Sequence, residues 1–145
     1  MPPHLVQFLL GGQTCVVATV DEQGFPQTTV MSWVVARNPQ TLAMAVDHRS
    51  RALQSIRSNG RIAVEALGDD LCYGLRGAAV LEKEQMDSPQ FPCALVAVKV
   101  EEVRDHGAAG VTFHGPRYSF QAGKEHRKNV EESVFAELKG PAPTV

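Results

Sequence analysis

Strand-like runs of β-branched and alternating residues fill most of the chain, and three short stretches depart from them. Residues 14–20 are rich in β-branched side chains and predict a strand, closed by the turn signal Asp21-Glu22-Gln23-Gly24. Residues 27–36 predict a second strand in a hairpin with the first. After the turn Arg37-Asn38-Pro39-Gln40 a third strand is expected at 41–46. Further strands are predicted at 61–67 and at 71–84, the latter interrupted by Gly74 and Gly77, which inside a strand mark a bend or a close approach. Residues 94–104 alternate cleanly, with Val96, Val98 and Val100 on one face and Lys99 and Glu101 on the other. A last strand is expected at 111–114.

The three departures read as helices. Pro2-Pro3 followed by an apolar run and Gly11-Gly12 has proline in a first turn and glycine at the end. In 50–58, Leu53 and Ile56 share a face, Ser50 is an N-cap and Asn59-Gly60 a stop. Val130, Val134 and Leu138 form an i, i+4 stripe that predicts a helix at about 125–138, followed by a frayed tail at 140–143. About six strands with one helix inserted midway do not fit a doubly wound parallel sheet. They fit antiparallel hairpins closing into a barrel.

Composition narrows the function classes. At 145 residues, 43% hydrophobic and 21% charged, the chain is expected to be one soluble globular domain over 1–145. A net charge of -2 without a basic block speaks against nucleic acid as a partner. Leu5 to Leu10 is too short to span a membrane, and no targeting signal is visible, so a cytoplasmic protein is expected. Cys15, Cys72 and Cys93 are far apart and odd in number. They read as reduced thiols, with no CxxC pair or Cys/His spacing for a metal. His106, His114 and His126 read as surface residues, and a heme or metal ligand is the rarer case.

The informative local feature is the junction Asp47-His48-Arg49-Ser50-Arg51 at the start of the inserted helix. A helix N-terminus presents free backbone N–H groups and partial positive charge, and Arg49, Ser50 and Arg51 add donors suited to a phosphate. A solvated basic turn in which Ser50 merely caps its helix is the competing reading.

With that junction in place, the sequence resembles the pyridoxamine phosphate oxidase-like FMN-binding split-barrel superfamily. The resemblance runs over about 8–84. It rests on Val17-Ala18-Thr19-Val20, Gly24-x-Pro26, Ser50-Arg51 with Arg61-Ile62-Ala63-Val64 after the helix, and Gly74-Leu75-Arg76-Gly77-Ala78. It implies a mainly β fold, a six-stranded antiparallel split barrel that pairs into a homodimer with FMN at the interface. Position by position, it implies that Ser50 and Arg51 meet the phosphate and that Thr29, Val30, Met31 and Ser32 line the isoalloxazine. Val46 and Asp47 would lie at the end of the neighbouring strand. The chain departs from the family pattern at Ala52, where the oxidases carry lysine, and at Ser55, where many members carry asparagine. Thr29 and Val34 replace basic residues, and the residues that hold a pyridoxal-phosphate substrate find no match. The implied function is an FMN-dependent oxidoreductase with a small-molecule substrate or electron donor. The alternatives are a non-catalytic flavin-binding or sensing module, or a relative that holds heme or a deazaflavin.

Overall fold

The computed structural model describes residues 1–141. Its elements, in chain order, are α1 (Pro3–Phe8), β1 (Cys15–Val20), β2 (Pro26–Met31), β3 (Val34–Asn38), β4 (Thr41–Asp47), α2 (Arg51–Ser58), β5 (Arg61–Gly68), β6 (Leu71–Lys83), β7 (Cys93–Asp105) and α3 (Arg127–Lys139). All strands join one antiparallel sheet in the order β2-β1-β5-β6-β7-β4-β3. The sheet curls into a split barrel, with β2 and β3 as its two margins.

Period-two patterning decides which side chains enter the barrel. In β1, Cys15, Val17 and Thr19 are buried, and in β5 so are Ile62, Val64 and Ala66. These meet Leu42, Met44 and Val46 of β4, Val96 and Val98 of β7, and Leu53 and Ile56 of α2 in the main core. β3 and β4 are apolar on both faces, because α3 covers their outer side. There Val35, Ala43, Ala45, Met86, Cys93 and Leu95 pack with Val134 and Leu138.

The expected strand at 27–36 is two strands and the one expected at 111–114 does not form, so the sheet has seven strands rather than the six of the implied barrel. The first half of 27–36 pairs with β1, from Val20↔Pro26 to Cys15↔Met31. Its second half pairs with β4, from Val34↔Met44 to Asn38↔Thr41. Ser32 and Trp33 carry the chain between these opposite margins of the sheet, and no straight strand makes that crossing. The Ser32 carbonyl accepts the Gly12 N–H, and the Trp33 carbonyl accepts the Ala45 N–H.

The expected strand at 111–114 is extended coil. The sheet margins lie elsewhere, and the segment instead docks on the β5–β6 turn. The Asp70 N–H donates to the Phe113 carbonyl at 2.8 Å, and Asp70 and Asp69 carboxylates accept the Phe113 and Gly115 N–H groups. The expected tail at 140–143 falls partly outside the described residues. Both strand glycines mark close approaches. A Cβ at Gly77 would overlap the Lys99 carbonyl at a register shift between β6 and β7, and one at Gly74 would overlap the His106 ring. Among the described residues, no helix is long and apolar enough to cross a membrane.

Candidate functional site

β3 covers the margin of β4 only as far as Met44, so the last residues of β4 face β2 across the opening of the barrel. A concavity of about 210 Å³ lies in that split. β2 and the crossing supply Thr29, Val30, Met31, Ser32 and Trp33, β4 supplies Ala45 and Asp47, and Ser50 contributes from the start of α2. Phe91 and Cys93, from the β6–β7 connection and β7, complete it. Six of the residues singled out from sequence therefore share one hollow: Thr29, Val30, Met31, Ser32, Asp47 and Ser50.

The other three lie elsewhere. Val46 points into the core and is 1% exposed, as strand alternation between Ala45 and Asp47 requires. Arg49 folds back onto Asp47, its Nη2 2.8 Å from Oδ2 and its Nε 3.1 Å from Oδ1. The hydrogen bonds from Arg49 hold the Asp47 carboxyl below its ordinary range. Arg51 lines a different concavity, with Asp21, Glu22, Gln23, Gln27, Gln54 and Ser55. The two arginines thus diverge around the start of α2. Ser50 caps that helix, its hydroxyl oxygen accepting the Ala52 N–H at 3.1 Å. The hydroxyl proton and the Arg51 N–H remain to meet an anion.

Sequence reasoning missed the aromatic wall. Trp33 and Phe91 stack with ring centroids 5.6 Å apart at 17°. The Trp33 indole donates to Glu131 of α3 at 2.8 Å, and the Arg49 guanidinium lies 6.0 Å from the centre of Phe91. Trp33 sits within a strand-forming run, and only the β6–β7 loop brings Phe91 to it. Behind the wall, burial and the Asp47 charge push the Cys93 thiol up to about 11, so it is a protonated lining group rather than a nucleophile at neutral pH. Ser32 and Trp33 also border a second hollow of about 400 Å³, with Tyr118, Phe120, Lys124 and Arg127.

The comparisons with known proteins agree with this architecture. The family model described as pyridoxamine 5'-phosphate oxidase matches residues 1–138. The chain belongs to that family. No curated protein matches it. Among solved structures it is similar to HupZ of Group A Streptococcus, at a TM-score of 0.64 and 19% identity over 79% of this chain and 100% of that one. It is also similar to General Stress Protein 26 of Bacillus anthracis, at 0.55 and 20% over 70% and 93%. An F420 reductase superposes at 0.58 and 16% over 72% and 98%. At these identities the likenesses establish the fold. For this pyridoxamine 5'-phosphate oxidase family member, the fit of a flavin is judged on its own residues. The donor set suits a ribityl phosphate: hydroxyls at Thr29, Ser32 and Ser50, a helix N-terminus, and the open peptide edge of β2 beside a flat aromatic wall. At about 210 Å³ the hollow falls below the usual range for a ligand pocket, about 300–1,000 Å³.

Proposed function

We propose that the protein binds FMN in the split between β2 and β4, that a second copy of the chain completes the site, and that the complex is an oxidoreductase. The observation carrying this reading is the convergence of Thr29–Ser32, Ser50 and the Trp33–Phe91 wall on one hollow. Ser50 and the first N–H of α2 hold the phosphate. β2 presents its peptide edge to the ring, and the aromatic wall excludes water from one side. Flavin, once bound, supplies hydride and single-electron transfer, so the chain needs no acid–base pair of its own.

The second copy is supported by the outer face of the sheet. Val30 is 68% exposed, and Val16, Ala18 and Ala63 continue the same face across β1 and β5. Burying such a patch drives association.

A narrower reading, a flavin-binding module without turnover, is favoured by one observation. Arg49 is neutralised by Asp47, and Arg51 stands among Asp21 and Glu22, so less charge faces the phosphate than two arginines suggest.

The test is a titration with FMN followed by absorption, then mixing with NADH or NADPH in a stopped-flow instrument. Saturable binding with rapid bleaching of the flavin supports the oxidoreductase. Binding without bleaching supports the module, and no binding at high micromolar FMN overturns both. Repeating the titration with a deazaflavin covers the relationship to the F420 reductase.

A further inference from the structure

We propose that Glu65, Cys72 and His106 form a binding site for a divalent transition cation of the zinc type, at the end of the barrel formed by β5, β6 and the close of β7. Their donor atoms all lie within 4.8 Å of one another. Nδ1 of His106 sits 2.6 and 3.0 Å from the two Glu65 oxygens, and Cys72 Sγ sits 3.8 Å from Oε1. Tetrahedral zinc with ordinary bond lengths separates such donors by about 3.3–3.7 Å, so the ion enters as the Glu65 carboxylate backs away from the imidazole and the Cys72 and His106 side chains close on it by up to about 1 Å. The proposal does not depend on the flavin.

Three observations support a built arrangement. The first is backbone register. Cys72 pairs opposite Leu67, Glu65 opposite Gly74, and the His106 N–H donates to the Cys72 carbonyl at 2.8 Å. Rigid strands therefore set two donors, and a strand-like hydrogen bond sets the third. The second is Gly74. A Cβ there would occupy the place of the imidazole, so the ring lies over β6 only because this position is glycine. The third is charge. The nearby Arg76 and Arg104 are both tied to Glu102, at 2.6 and 3.0 Å, which offsets their repulsion of a cation, while Asp105 adds negative charge beside Cys72.

The donor types choose the ion. Thiolate with imidazole and one carboxylate suits zinc and its neighbours over magnesium or calcium, which take oxygen sets. On binding, the Cys72 thiol releases its proton to solvent and the His106–Glu65 hydrogen bond gives way to two metal bonds. Three protein donors leave a fourth position for water or a small ligand. A concavity of about 560 Å³ bordered by Cys72 and His106 reaches the cluster, and on the other side Glu65 and His106 border one of about 510 Å³ that shares Val16, Ala18 and Ala63 with the proposed pairing face.

The test is titration of reduced, chelator-treated, tag-free protein with Co²⁺. One equivalent should produce a thiolate-to-cobalt charge-transfer band in the near ultraviolet with visible bands of four-coordinate intensity, and Zn²⁺ should abolish both. Cys72→Ser should remove the charge-transfer band and weaken binding at least tenfold. His106→Gln, at an exposed position, should weaken it comparably with an unchanged thermal melt. Gly74→Ala retains every donor and should still weaken binding about tenfold by displacing the ring. Absence of the charge-transfer band at one equivalent overturns the proposal. So does a band that survives Cys72→Ser, which would assign it to Cys15 or Cys93.

Discussion

Ser88 donates both its hydroxyl and its backbone N–H to one oxygen of Glu137, at 2.5 and 2.9 Å. The Asp87 N–H reaches both oxygens of the same carboxylate, and Lys83 approaches at 3.0 Å. α3 is thereby tied to the loop that, three residues after Ser88, places Phe91 against Trp33. A contact remote from the split thus holds one side of the candidate site.

Glu137 makes that tie sensitive to acid. Burial alone would raise its pKa, but the hydrogen bonds from Ser88 and Asp87, with Lys83, outweigh it and hold the group at about 2. A carboxyl depressed in the folded state contributes stability above its unfolded value, near 4.5, and loses it as pH falls toward 2. The contribution at neutral pH is roughly 2 kcal/mol, below the full shift because part of the group meets water. Glu137→Gln should lower the urea midpoint at pH 7 and flatten the loss of stability between pH 4.5 and 2. Equal pH profiles for the two proteins would contradict this.

The aromatic wall is open to a direct optical test. Trp33 is the single tryptophan, so its emission should be quenched as FMN fills the split. Phe91→Ala removes the stacked partner and should weaken FMN binding about tenfold, or about 1.4 kcal/mol. Unchanged affinity would place the ring elsewhere.

Val30 separates association from folding. With 68% of its surface exposed, Val30→Glu should alter stability by no more than about 0.5 kcal/mol. The proposed pairing of two chains should nevertheless fail, read as a drop in sedimentation coefficient. A dimer that survives the change would move the interface off the outer face of β2.

Gly77 tests the barrel itself. Its missing Cβ leaves room for the Lys99 carbonyl at the register shift between β6 and β7, and neither backbone can yield easily. Gly77→Ala should cost on the order of 3 kcal/mol, a fall of roughly 10 °C in Tm by calorimetry.

What could be read from sequence follows from what each signal physically encodes. Capping, turn chemistry and alternation are local, and they located α2 with its Ser50 cap and the face of β7 that buries Val96 and Val98. The break at Ser32–Trp33 lies inside a run of strand-forming residues. It exists only because the sheet brings two margins together. The side-chain direction of Arg51 depended on the acidic turn at Asp21–Gln23, a tertiary neighbour. Cys72 and His106 are 34 positions apart, which no metal-ligand spacing suggests, and only the pairing of β5, β6 and β7 unites them with Glu65.

The two outermost strands of the sheet, β2 and β3, are joined by two residues, and because the Ala36 N–H of β3 donates to the Leu9 carbonyl, β2 carries the freer margin. Exposed margins are where stray chains add on and fibrils begin. A single occupant seated beside Ser32 would shield the vulnerable part of β2 and the uncovered end of β4 together. Saturating that position should therefore slow turbidity growth on heating, beyond any rise in melting temperature.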